Sequence, residues 1–115
     1  MNNSTFPDIA AMNEHELCAY FEPLMKPAVI AVVGASASGS NRANLFIDKL
    51  RDFDYPGKIY PVHVRAAEVE GMQAYPTLGD IPELVDYAYF AIPAKAVPGA
   101  IAAARGNLKF AHISS

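Results

Sequence analysis

Six consecutive apolar residues, Ala28 to Val33, stand out from an otherwise mixed chain. The run is short, continuous and rich in β-branched side chains, the pattern of a strand buried on both faces of a parallel sheet. Gly34 to Ser40 is a loop of small residues, and Asn41 to Phe53 then switches to helical periodicity. Ala43, Phe46, Ile47, Leu50 and Phe53 share one face there, with Asp48, Lys49, Arg51 and Asp52 on the other. Tyr55-Pro56-Gly57 reads as a turn, and Lys58 to Val62 as a second strand. A polar connection, His63 to Pro76, leads to Thr77 to Asp80, which resembles one helical turn with a capping threonine. Asp86 to Ile92 predicts a third strand. Pro93 opens another helix with Val97, Ala100, Ile101 and Ala104 as its apolar stripe and Gly106 at its C-terminal cap. Phe110 to Ser114 starts a fourth strand. Ahead of all this, Glu14 to Phe21 fits a short helix, with Leu17, Tyr20 and Phe21 on one side, before Pro23 and Pro27 break it.

Alternation of strands and helices predicts an α/β, Rossmann-like, doubly wound parallel sheet, cut short after the fourth strand. Right-handed crossovers give the expected strand order 3-2-1-4, with the fourth strand an edge beside the first. Ligands of such sheets sit beyond the carboxyl ends of the strands. That criterion selects Gly34 to Asn41, His63 to Ala66, Pro93 to Lys95, and the residues after the fourth strand, Ser114 and Ser115.

Composition narrows the classes. At 115 residues with 52% apolar content, the chain fits one domain with a packed core. A net charge of -3 argues against a nucleic-acid partner. No signal-like segment and no apolar run long enough to span a bilayer is present, so the expectation is no membrane partner and a cytoplasmic location. A single cysteine, Cys18, excludes an internal disulfide. His15, His63 and His112 are too scattered for a metal site, and no nucleophile elbow or Walker sequence occurs, so neither metal-ligating nor catalytic residues are expected.

Gly34-Ala35-Ser36-Ala37-Ser38-Gly39 lies between a buried strand and a helix start, where backbone N–H groups and the helix dipole favour a phosphate. It is close to G-x-G-x-x-G, but Ser36 stands where the second glycine would let a dinucleotide pyrophosphate approach. Arg42 offers a phosphate partner at the helix start. After the second strand there is no carboxylate to hold a ribose 2′-hydroxyl, as NAD sites require; Arg65 is there instead and suits an additional ribose phosphate. Arg65 alone suits the extra phosphate of coenzyme A or of NADP; Ser36 and the missing carboxylate disfavour an NAD(P) domain. His63 reads as a hydrogen-bonded loop histidine rather than a base.

Several stretches together resemble the NDP-forming acyl-CoA synthetases, the family of ADP-forming acetyl-CoA synthetases and succinyl-CoA synthetase α subunits. Leu17 to Pro23 is similar to their L-x-x-L-F-x-P leader, and Val29 to Ser36 to their first strand and loop. Gly57 to Val62 resembles their second strand. Gly71-Met72-Gln73-Ala74-Tyr75-Pro76-Thr77-Leu78, followed by Pro82 and Asp86, matches their G-x-x-A-Y-P-S-L segment and its continuation. Ala91-Ile92-Pro93-Ala94 and Ile113-Ser114-Ser115 complete the set. Two departures occur: Val62-His63-Val64-Arg65 replaces the family's V-N-P-K, and Ser38 rather than proline precedes Gly39. The resemblance implies a leader over residues 1–27 and a coenzyme A-binding domain over residues 28–115, with its C-terminal part missing. It implies coenzyme A contacts at Gly34, Ser36, Ser38, Gly39, Arg65, Pro93, Ser114 and Ser115, beside the phosphate partner Arg42. The implied partners are the remaining domains or subunit of an acid–thiol ligase, this chain alone being inactive. The alternative is a regulatory coenzyme A or nucleotide sensor, as in the front end of some protein acetyltransferases.

Overall fold

The computed structural model describes residues 13–16, 26–37 and 41–114. Residues 14–16 form a helical turn opened by Asn13. The Asn13 Oδ1 accepts from Glu16 N at 2.8 Å, and Glu16 Oε1 accepts from Asn13 N at 3.1 Å, a reciprocal cap. The remainder of the expected leader helix, including Leu17, Cys18, Tyr20 and Phe21, lies outside the described residues.

Four parallel strands form the main sheet: β1 (Val29–Val33), β2 (Lys58–Val62), β5 (Val85–Phe90) and β6 (Leu108–Ile113). Helix α1 (Arg42–Asp52) joins β1 to β2. A two-stranded hairpin, β3 (Glu68–Val69) and β4 (Met72–Gln73), and a 3₁₀ turn (Leu78–Asp80) lie between β2 and β5. A second 3₁₀ turn (Ala94–Ala96) runs into α2 (Val97–Ala103) ahead of β6. Every residue of β1 is buried, as its unbroken apolar sequence requires. Its odd positions, with Leu78, Ile81, Val85, Phe90 and Ala104, build the core on the α2 face. Ile30 and Val32, with Ala43, Ile47, Val69 and Tyr89, build the core on the α1 face. Phe46 of α1 stacks on Tyr89 there, ring centroids 4.2 Å apart.

The strand order is β2-β1-β5-β6, or 2-1-3-4 counting only main-sheet strands, and not the expected 3-2-1-4. The face taken by each connection explains the difference. Helix α1 carries the chain from β1 to β2 on one face. The β2-to-β5 connection brings Leu78 and Ile81 into the core of the opposite face. A right-handed connection laid on the opposite face runs in the opposite direction, so the chain passes back beyond β1. β6 is an edge as expected, but it lies beside β5 rather than beside β1.

Smaller corrections follow from packing. Phe53, placed on the apolar stripe of α1 by periodicity, is its C-cap and is 83% exposed. Ile101 is likewise exposed, whereas Val97 and Ala104 of the same expected stripe are buried. Gly106 takes φ +84° in the turn after α2, as a left-handed cap position demands. Thr77 precedes its 3₁₀ turn, but its hydroxyl donates to the Asp80 carboxylate at 2.8 Å and not to the backbone. Below the sheet, Asp86 Oδ2 accepts from Ala28 N at 2.9 Å and Val29 N at 3.1 Å, which fixes the start of β1 against β5.

Candidate functional site

The reversal of strand order places a switch point between β1 and β5, where the first connections leave in opposite directions. At their carboxyl ends a crevice opens, and such crevices are where open α/β sheets hold ligands. Ala91 N donates to Val33 O at 2.9 Å, so the two strands run together to the rim. Gly34 turns the chain away from β1 at φ +111°. A Cβ on Gly34 would lie 2.5 Å from the Ala91 carbonyl oxygen, so only glycine fits. The sequence marks Gly34 as the first residue of a phosphate loop; the structure adds that β5 packs against it.

Two asparagines shape the loop that follows. Asn41 is the N-cap of α1: its Oδ1 accepts from Asn44 N at 3.0 Å, and its Nδ2 donates to Gly34 O at 2.8 Å. Asn44, only 1% exposed, uses every polar position of its amide. Its Oδ1 accepts from Ser36 N at 2.9 Å and Asn41 N at 3.3 Å; its Nδ2 donates to Ser36 O at 3.0 Å and Glu70 Oε2 at 2.6 Å. The Ser36 amide is therefore directed into the protein. Arg42 and Ala43, the first two residues of α1, precede the residues whose N–H groups bond within the helix, which leaves their own amides at the helix start. Ser38 and Gly39 lie outside the described residues.

Arg42 is exposed, and its Nη2 donates to Ser114 O at 2.6 Å. Ser114 N in turn donates to Phe90 O at 2.8 Å. This brings the start of α1 and the end of β6 together across the carboxyl end of β5. Ser115 is not among the described residues. After β2, His63 Nδ1 accepts from the backbone N–H of both Arg65, at 3.1 Å, and Ala66, at 2.9 Å. The imidazole thus closes the turn where the resembled family has proline, and the nitrogen engaged in that turn is not a free base. Arg65 is exposed on this turn. Pro93, also exposed, precedes the 3₁₀ turn after β5 and accepts from Ala96 N at 2.8 Å.

Between these loops, on the α2 face, lies a cleft of about 490 Å³. Val33, Gly34 and Ala35 line it from β1; Val62, His63 and Val64 from β2; Pro76, Thr77 and Leu78 from the connection; Ile92, Ala96, Ala100 and Ala103 from β5 and α2. The walls are mostly apolar. The loops around it, residues 34–41, 63–67 and 91–96, contain no Asp or Glu, although the chain has 12 acidic residues against 9 basic ones. Arg42, Arg65 and Lys95 stand on or directly after these loops. Gly34, Ser36, Arg42, Arg65, Pro93 and Ser114 all come to this end of the sheet. The sequence reading had Asn41 and Lys95 only as the last residues of the selected loops, with no role of their own, and left out Asn44. An N-x-x-N spacing at the helix start is the one signal that marks the asparagines.

This geometry defines a class: a Rossmann-like α/β domain with an acid-free, apolar-walled cleft at its switch point. The profile of the CoA binding domain family matches residues 28–113, and the chain belongs to that family. Among curated relatives, the acetate–CoA ligase (ADP-forming) I of Archaeoglobus fulgidus is 40% identical over 80 residues, covering 70% of this chain and 11% of that protein. The α subunit of acetate–CoA ligase (ADP-forming) I of Pyrococcus furiosus is 37% identical over 81 residues, covering 67% of this chain and 18% of that subunit. The chain therefore spans between a tenth and a fifth of the length of these relatives. The structure of the dinucleotide-forming acetyl-coenzyme A synthetase 1 of Ca. Korarchaeum cryptofilum, in complex with phosphate and ADP, superposes with a TM-score of 0.75 at 36% identity, over 79% of this chain and 20% of that one.

Proposed function

We propose that this chain binds coenzyme A in the cleft at the carboxyl ends of β1, β2 and β5, as the coenzyme A-binding part of a larger NDP-forming acid–thiol ligase. Residues 28–115 constitute that part and residues 1–27 its leader. The observation that carries the reading is the pairing of apolar walls with lining residues that include no carboxylate, in a chain whose net charge is negative. Coenzyme A has that dual character: a diphosphate and a ribose 3′-phosphate, three phosphate groups in all, set between an adenine ring at one end and a slender pantetheine arm at the other. The chain's own residues fit both parts. Arg65, the amides of Arg42 and Ala43 at the start of α1, and the loop containing Ser36, Ser38 and Gly39 would meet phosphates. Val33, Val62, Leu78 and Ile92 offer apolar surface, with Pro93 and Ser114 at the rim, and Ser115 is the remaining contact that the resemblance implies. In this reading the parent reaction is acyl-CoA + NDP + phosphate ⇌ acid + CoA + NTP. The remaining domains or subunit supply its catalytic groups, and this chain supplies none.

Calorimetry with coenzyme A and 3′-dephospho-coenzyme A tests the assignment of Arg65. A charge-assisted hydrogen bond to phosphate contributes about 1.5–3 kcal/mol, so Arg65→Glu should weaken coenzyme A by about tenfold or more and dephospho-coenzyme A much less. Equal losses for the two ligands remove Arg65 from the 3′-phosphate site.

A further inference from the structure

We propose that Asn44 and Glu70 are positioning residues that determine which phosphate-bearing ligand the cleft accepts. They do so by holding the Ser36 amide away from the ligand, and the proposal rests on the coenzyme A reading above. Asn44 clamps Ser36 from both sides, accepting from its N–H at 2.9 Å and donating to its carbonyl at 3.0 Å. The fourth bond of the same amide goes to Glu70 Oε2 at 2.6 Å. Glu70 lies 26 residues further along the chain, at the tip of the β3–β4 hairpin, with φ +53°. Arg51 of α1 steadies it: Nη2 donates to Glu70 O at 2.6 Å, and Nη1 stands 3.5 Å from Oε1. The hairpin, the helix and the loop are thus coupled through one buried amide.

The coupling has a chemical consequence. In a dinucleotide loop, the backbone at the position of Ser36 comes close to the pyrophosphate. Here that N–H is already bonded within the protein, so a pyrophosphate pressed against it meets a Cβ and no free amide. A ligand whose phosphates are met by arginines and the helix start loses nothing. Without Glu70, one N–H of the buried Asn44 amide has no acceptor, so the amide reorients and releases Ser36. A merely structural clamp would leave the relative affinity for two ligands unchanged; a positioning clamp would not.

The test combines amide hydrogen exchange at Ser36 in the ligand-free chain with affinities for coenzyme A and NAD, in wild type, Glu70→Ala and Glu70→Gln. Protection of Ala31 and Val32 in β1 verifies that each variant is folded. Losing a hydrogen bond from a buried amide to a charged acceptor should speed Ser36 exchange about tenfold in Glu70→Ala and narrow the preference for coenzyme A over NAD about tenfold, through tighter NAD binding with coenzyme A little changed. Glu70→Gln keeps an oxygen acceptor for Asn44 and should restore both readings to within about threefold of wild type. Unchanged exchange in Glu70→Ala, an unchanged coenzyme A to NAD ratio, or no restoration by glutamine overturns the proposal. A wild-type chain that binds no coenzyme A overturns the coenzyme A reading instead, and Ser36 exchange then decides the clamp by itself.

Discussion

At Gly34 two constraints meet in one residue: a backbone in the left-handed half of φ space and a neighbouring carbonyl where a Cβ would go. Gly34→Ala adds backbone strain of about 1–3 kcal/mol and forces Ala91 away from the end of β1. Urea unfolding should therefore show a loss of about 2 kcal/mol or more, and a midpoint equal to that of wild type contradicts this account of the turn. Sequence alone selects Gly34 because small residues after a buried strand suggest a phosphate loop. It does not reveal that β5 packs onto that glycine, since the contact joins residues far apart in the chain. His63 was legible as a hydrogen-bonded loop residue, and its Nδ1 closes the turn before Arg65. Asn44 was not legible. A polar residue on an amphipathic helix reads as solvated, and only its four bonds at almost zero exposure distinguish it from Asp48 or Lys49.

Among the elements, those with a strong period were readable: β1 by its continuous apolar run, β2 and β5 by β-branched and aromatic content, α1 by its stripe. The β3–β4 hairpin was not, because two residues per strand leave no periodicity, and its Glu70–Gly71 turn has only one glycine as a signal. Strand order was misjudged because the face taken by a connection depends on which side buries Leu78 and Ile81, a tertiary choice. One tie between elements makes a pH prediction. Glu83, ahead of β5, accepts from Lys58 Nζ at 2.8 Å and from the Tyr60 hydroxyl, both on β2. These hydrogen bonds, that to Lys58 first, hold the Glu83 carboxyl below its ordinary range. Its contribution is present above the pKa of an unfolded glutamate and is lost as pH falls through the lowered value. The Tyr60 hydroxyl is pushed up to about 12, chiefly by its bond to Glu83, and Tyr55 to about 12, chiefly by burial. The folded chain therefore keeps these protons more tightly than the unfolded one, and stability is full below about pH 10 and declines towards pH 12. Stability measured by urea across pH should show both limbs. Tyr60→Phe should flatten part of the alkaline limb, Tyr55 and Tyr87, both raised chiefly by burial, retaining the rest. An alkaline limb identical to that of wild type contradicts the role of the Tyr60–Glu83 bond.

On the scale of the molecule, the sheet has two unlike ends and two unlike edges. Its amino end carries the Glu83, Asp86 and Lys109 contacts that fasten β1, β2 and β6 to β5 and the segment just before it. Its carboxyl end carries the acid-free cleft. Beyond β2, Tyr75 extends the sheet by bonding Pro61 O through its N–H and His63 N through its carbonyl, so that edge is partly covered. β6 is the other edge, and Lys109, Ala111, His112 and Ile113 are exposed along it. No helix of the described residues is long and apolar enough to cross a membrane. The central claim is that the carboxyl-end cleft receives coenzyme A in preference to NAD. Titration of the ¹⁵N-labelled chain with coenzyme A, followed by equimolar NAD, tests it most directly. The account predicts shifts at the amides of Gly34 to Ala37, His63 to Ala66, Ile92, Ala94 to Ala96 and Ser114, saturating with coenzyme A and unreversed by NAD. Shifts confined to β6 or to the amino end of the sheet, or displacement of coenzyme A by equimolar NAD, would contradict it.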